Sequence, residues 1–147
     1  MKVINSKATY DYTIQERFEA GLSLQGSEVK SLRDGRASLD GAFVKLIGFE
    51  AFLVNAHIFP YPFARNDKYD PKRTRKLLLH KKEILKLKHK MDAAGLTIVP
   101  LSWYNKAHRI KLEIGLAKGK KEYEKREIIK KREDKRDMGR ALRGKVT

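Results

Sequence analysis

Strict alternation of apolar and polar side chains recurs along the first two thirds of this chain, and no other pattern limits its fold as much. In Ile110, Leu112, Ile114 and Leu116 every second residue is aliphatic, the period of a strand with one covered face. Tyr10, Tyr12 and Ile14 repeat that period around Asp11 and Thr13, and Leu22 and Leu24 resume it after Gly21. Two apolar runs, 43–47 and 51–56, flank Gly48-Phe49-Glu50 and read as a hairpin. Leu77-Leu78-Leu79 is a short strand feeding a helix, residues 96–104 are β-rich, and 105–108 make a turn. Helical spacing is confined to two places. Ser27 can cap a short helix carrying Val29 and Leu32 and ended by Gly35, and Ile84, Leu87, Met91 and Ala94 line one face of a second, stopped by Gly95. Pro60, Pro62 and Pro71 break regular structure across residues 59–74, a long basic loop. About six short strands with few helices predict an antiparallel sandwich or small barrel.

A chain of 147 residues suits one domain with appendages, and its 41% apolar fraction can fill a core. Cysteine is absent, which excludes a disulfide framework, thiolate metal sites and a cysteine nucleophile. No apolar run approaches the roughly 18 residues of a membrane helix, and Met1-Lys2-Val3-Ile4-Asn5-Ser6-Lys7 lacks the apolar core of a signal peptide. A soluble, intracellular protein is expected.

Charge narrows the partner. The net is +16, from 34 Lys and Arg against 18 Asp and Glu. Residues 65–90 carry 11 positive and 3 negative side chains, net +8, and residues 118–147 carry 13 and 6, net +7. Residues 1–64 balance at 7 and 7. Two basic blocks on an otherwise neutral chain are the footprint of a polyanion partner. After Lys118 large apolar residues are sparse, too few to offset ordering entropy, yet Glu122–Arg126 and Glu127–Lys131 are helix-favouring pairs. Residues 1–117 are therefore expected to form the barrel, and 118–147 a basic tail, disordered alone and helical against a partner.

Catalytic chemistry finds little support. Gly115-Leu-Ala-Lys-Gly-Lys-Lys121 imitates a phosphate loop, but its glycines are one residue too close and Lys121 replaces the magnesium-binding hydroxyl. His57, His80, His89 and His108 make no i,i+3 or i,i+4 pair. Glu16, Glu19, Glu28, Asp34 and Asp40 are scattered among cations and read mostly as their solvated partners. Glu19 stands apart, inside a strand next to Phe18, where a carboxylate would accept from a base amino group. His80 opens the second helix beside Lys81 and Lys82, where an imidazole can meet a base. Trp103 and Tyr104 read as core or interface residues. The stretch Pro71–Lys82 packs six Lys and Arg into twelve residues, with the leucines as an anchor. An RNA-processing enzyme would need a carboxylate or histidine cluster that is missing from the pattern; a nonspecific oligonucleotide-binding or ribosome-associated module remains open on composition alone.

Three segments carry a resemblance. Glu19-Ala-Gly-Leu-Ser-Leu-Gln-Gly-Ser-Glu-Val-Lys-Ser-Leu-Arg-Asp-Gly35, Pro71-Lys-Arg-Thr-Arg-Lys-Leu-Leu-Leu-His-Lys-Lys-Glu-Ile84 and Gly115–Lys121 resemble, in order, the SmpB family of tmRNA-binding proteins of bacteria. The resemblance runs from about Asn5 to about Arg136. It implies a mainly β protein, an oligonucleotide-binding (OB)-like antiparallel barrel with about three helices and a C-terminal tail. It implies trans-translation: binding the tRNA-like domain of tmRNA, delivery of alanyl-tmRNA to stalled ribosomes, and a tail placed in the empty mRNA channel in place of codon–anticodon pairing. No enzyme activity and no cofactor or metal are implied. The implied partners are tmRNA and the ribosome, at its 16S rRNA decoding centre and mRNA channel, with no membrane partner and a cytoplasmic location. Elongation factor Tu and alanyl-tRNA synthetase follow indirectly through tmRNA, and the chain is expected to be a monomer. The implied RNA-binding positions are Asn5, Glu19, Lys30, Arg33, Arg75, Lys76, Leu78, His80, Lys118, Lys120 and Lys121. His80 stands where some members have Asn. The implied tail contacts are Tyr123, Glu124, Lys125, Arg126, Lys130, Lys131 and Arg132, with Glu124 in place of the usual Asp.

Overall fold

The structure, a computed structural model, describes residues 1–65, 68–120, 126, 129–133 and 135–136. Its elements are β1 (Lys2–Ile4), α1 (Ser6–Asp11), β2 (Tyr12–Leu22), α2 (Gly26–Arg33), β3 (Ala37–Ser38), β4 (Phe43–Ile47), β5 (Glu50–Val54), β6 (His57–Ile58), β7 (Arg75–Leu78), α3 (Lys81–Ala94), β8 (Thr97–Lys106) and β9 (Arg109–Gly119). Seven strands form one antiparallel sheet in the order β1-β8-β9-β2-β7-β5-β4, and β3 pairs with β6 apart from it. Strand β4, last in that order, lies against β8 without entering a ladder with it, so the sheet curls back as a partly open barrel. Among the described residues up to Gly119, the expected mainly β barrel with three helices is present.

The alternation decides which face is inside. Ile110, Leu112, Ile114 and Leu116 are all buried and meet Trp103, Leu53, Leu77 and Ile98 in one core. Helix α3 closes one side with Ile84 and Leu87, while Ala94, expected on the same face, is exposed. Gly115, half of the apparent phosphate loop, is a packing residue: a Cβ there would come within 3.0 Å of Ile14 and Leu101.

Several expectations are corrected. There are nine strands among the described residues rather than about six, because β1, β3 and β6 are two or three residues long and alternation cannot register in so few. Tyr10 belongs to helix α1, which buries Ala8, and strand β2 begins only at Tyr12. Leu24 lies beyond the end of β2. The cap of α2 is Gln25, whose N–H donates to the Glu28 carboxylate at 2.9 Å in a capping box, and Ser27 lies inside the helix. Strand β9 carries Lys118 and Gly119 into the sheet, where Lys118 pairs with Thr13, so these two residues belong to the barrel rather than to the tail. Residues 126, 129–133 and 135–136 are helical and exposed.

Candidate nucleic-acid interface

The outward side of β2 presents Thr13, Gln15, Arg17 and Glu19, all exposed and alternating with the half-buried Ile14, Glu16 and Phe18. Opposite them on β9 stand Glu113, facing Glu19, and Lys111, facing Gly21. On the other side, Gly21 pairs with Leu78 of β7. The missing side chain at Gly21 matters, because a Cβ there would meet the Leu78 Cβ at 3.2 Å. Leu78 leans over that gap and stays 54% exposed, unusual for a leucine in a paired strand. Glu19 and Leu78, far apart in the chain, therefore share one outward face.

Cations and one phenol frame the Glu19 carboxylate. The Tyr104 hydroxyl donates to it, and the Lys106 ammonium lies 3.3 Å away. The Tyr104 hydrogen bond, reinforced by Lys106 and Lys111, holds the carboxyl below the ordinary glutamate range against an opposing desolvation. Burial, and then the facing Glu19 carboxylate, push the Tyr104 hydroxyl well above its usual value. Glu19 is thus an ionised acceptor held in a fixed orientation. Arg17 pairs with Glu113 on the same face, and Lys76 pairs with Glu50 at 3.2 Å.

His80 follows Leu78 off the end of β7. It occupies the N-cap of α3 without donating or accepting a side-chain cap bond, and its ring is 90% exposed, with Nε2 4.0 Å from Glu83. On α2, Arg33 reaches across to donate to the His108 carbonyl at 3.3 Å, and the Lys30 ammonium lies 5.6 Å from the Tyr61 ring centre. A cleft of about 280 Å³ runs between these parts, lined by Gly21, Leu24, Val29, Leu78, His108 and Lys111.

Two expected contact residues point elsewhere. Arg75 is fully buried. Its guanidinium donates to Glu28 from Nε at 2.8 Å and Nη2 at 2.6 Å, and to the carbonyls of Ala56 at 2.7 Å and Pro71 at 3.0 Å. With every donor turned inward it braces the loop before β7 and offers nothing to an outside ligand. Asn5 is buried too; its Nδ2 donates to the Pro100 carbonyl at 2.9 Å, farther back along β8 from Tyr104. Lys118 is exposed in β9, and Lys120 donates to α1, from its backbone to the Asp11 carbonyl at 2.9 Å and from Nζ to Thr9. Lys121, Tyr123, Glu124 and Lys125 lie outside the described residues; Arg126, Lys130, Lys131 and Arg132 are exposed on helical backbone.

Sequence reasoning missed Glu28, placed among solvated carboxylates. It is buried and accepts from Arg73, Arg75 and the Tyr69 hydroxyl. Burial alone would raise its carboxyl, but Arg73, the Gln25 N–H and Arg75 outweigh that and hold it below the ordinary range. Trp103 and Tyr104 were read together as core or interface residues; the in–out alternation is the signal that separates them, Trp103 fully buried and Tyr104 outward.

Comparison with known proteins finds relatives along nearly the whole chain. The family model described as SmpB protein matches residues 2–144. An SsrA-binding protein of Geobacter sulfurreducens is 53% identical over 96% of this chain and 92% of its own length. An SsrA-binding protein of Geobacillus kaustophilus is 51% identical over 95% of this chain and 90% of its own. Among solved structures, a chain from "tmRNA-SmpB: a journey to the center of the bacterial ribosome" superposes with a TM-score of 0.68 at 44% identity, covering 82% of this chain and 85% of that one.

Proposed function

Because the chain belongs to the SmpB family, we propose that it binds the tRNA-like domain of tmRNA, brings alanyl-tmRNA to ribosomes stalled without a codon, and occupies the empty mRNA channel with its tail. The observation that carries the RNA-binding step is the juxtaposition of Glu19 and Leu78 across Gly21, ringed by Arg17, Lys76, Lys106 and Lys111. A fixed acceptor and an exposed apolar contact read shape and base edges, while the surrounding cations neutralise phosphates. Lys30 and Arg33 extend the basic rim, and His80 marks its edge. Arg75 contributes by holding this surface from beneath.

The tail supplies the second step. Tyr123, Glu124, Lys125 and Arg126, then Lys130, Lys131 and Arg132, would pair with rRNA near the decoding centre, and the helix they form stands in for codon–anticodon pairing. Elongation factor Tu and alanyl-tRNA synthetase join only through tmRNA. The protein acts as a monomer, without cofactor, and performs no reaction on substrate. The SsrA-binding name of its relatives and the ribosome setting of the related structure support this reading. Pull-down of the full chain from a bacterial lysate, followed by RNA sequencing, tests it. Enrichment of one tmRNA is expected; recovery of bulk mRNA without that enrichment reduces the protein to a nonspecific RNA-binding module.

A further inference from the structure

Beside Leu78, on the side away from Gly21, the surface opens into a cleft of about 480 Å³, within the roughly 300–1,000 Å³ of small-ligand pockets. Its floor is Leu77, Leu79 and Ile84; its walls are Phe49 and His80. Phe49 sits at the tip of the β4–β5 hairpin, where Gly48 takes a φ of +60° and lets the strands join through two residues. There the phenyl ring stays 56% exposed. The Lys81 ammonium lies 4.2 Å from its centroid, a cation–π contact that fixes the ring. At the rim, Glu50 and Lys76 form their exposed pair.

An exposed aromatic pinned by a lysine, a largely exposed imidazole across from it, an apolar floor and a carboxylate at the edge make a site for a flat, partly polar ring attached to an anion. We infer that this cleft takes one unpaired nucleobase of the bound RNA, stacked on Phe49 and bordered by His80, with Glu50 accepting from an exocyclic amino group and Lys81 next to the phosphate. The inference rests on the RNA-binding reading above and deepens it. A single-stranded nucleotide is the occupant because the surrounding block of residues 65–90 carries net +8. A base inside a duplex is also ruled out geometrically, since its faces are covered by its neighbours.

The test uses the full chain and its Phe49→Ala and Phe49→Tyr variants, titrated by NMR with hexamers of adenylate and of uridylate, with a blunt RNA duplex, and with the tRNA-like domain. Oligoadenylate is expected to shift the Phe49, Leu78 and His80 resonances and to bind more tightly than oligouridylate, which lacks the amino group. Phe49→Ala should weaken oligoadenylate and the tRNA-like domain by roughly 5- to 150-fold, the range for losing one base–aromatic stack. The slope of affinity against salt should not change, since no phosphate contact is removed. Phe49→Tyr should retain binding. Unchanged affinity of Phe49→Ala for both single-stranded ligands, or equal shifts with the duplex, overturns the inference and leaves the tmRNA reading standing. Failure of the unaltered chain to bind the tRNA-like domain, while oligoadenylate still shifts Phe49, overturns the tmRNA reading instead.

Discussion

Glu19 and Glu28 are both ionised carboxylates on a cationic protein, and their surroundings give them opposite work. Glu28 is sealed between α2 and the loop before β7, where Arg73, Arg75 and Tyr69 converge on it. Removing it leaves Arg75 buried without its partner, and breaking such a pair costs about 3–5 kcal/mol. Urea unfolding of Glu28→Ala is expected to show a loss of that size, against almost none for Asp40→Ala on the surface. The pH dependence follows from the direction of the Glu28 shift. Its folded pKa lies below its unfolded value, so its contribution is present above the unfolded pKa, about 4.3, and is lost as pH falls through the folded one. Thermal midpoints should therefore begin to drop below about pH 4, and Glu28→Gln should flatten that drop while lowering stability at neutral pH. Glu19, by contrast, is half exposed, and its value lies in what it accepts. Glu19→Lys adds positive charge to a cationic face, yet affinity for the tRNA-like domain should fall, because the oriented acceptor is gone. Tighter binding in proportion to the added charge would mean that the contact is merely electrostatic.

At the scale of elements, the long alternating segments were legible because their polarity repeats enough times to fix a face. Strand β9 and the β4–β5 hairpin follow the alternation and the hairpin spacing, whereas β8, buried at six consecutive residues from Ile98 to Trp103, was legible only as β-rich. Helix α1 was not legible: it has six residues, fewer than two turns, and Tyr10, Tyr12 and Ile14 happen to mimic a strand across its end. Arg75 was misassigned for a related reason. Three consecutive leucines after it hide which parity of β7 faces in, and only the pairing of Leu77 with Ala51 and of Arg75 with Leu53 places Arg75 on the inner side. The turn between β8 and β9 was located, but not its strain. Ala107 and His108 both take positive φ, 49° and 65°, although neither is glycine or asparagine. Such conformations cost roughly 1–2 kcal/mol per residue in side chains with a Cβ. Replacing the pair with Asn-Gly, which suits a two-residue turn of this type, should raise stability by about 1–2 kcal/mol in a denaturant titration and leave tRNA-like-domain binding within twofold of the unaltered chain. Arg33 meets this turn at a backbone carbonyl, so the exchange does not remove that contact.

For the whole molecule, the proposed function assigns the two basic blocks different work, tmRNA binding to residues 65–90 and the ribosome step to the C-terminal block. Among the described residues, the buried core clusters hold none past Ala117, and residues 126, 129–133 and 135–136 are exposed. Lys120, whose backbone N–H and Nζ both bond α1, ties the end of β9 to that helix. Truncation after Lys121 keeps that anchor. The shortened protein is therefore expected to unfold at nearly the same temperature and to bind the tRNA-like domain with nearly the same affinity. Peptide tagging in a reconstituted trans-translation reaction on a non-stop message should nevertheless collapse, because residues 122–147, with 10 Lys and Arg against 6 Asp and Glu (net +4) and the helix-favouring charge pairs, have been removed from the step that follows binding. Lys125→Ala combined with Arg126→Ala should reproduce most of the loss, since a lysine and an arginine side by side can neutralise adjacent rRNA phosphates, the arginine through two parallel hydrogen bonds. A binding titration run beside the tagging assay separates the two basic blocks. Loss of tagging at full affinity assigns the tail to the ribosome, whereas full-rate tagging by the truncated chain would make residues beyond Lys121 an ordinary solvated extension.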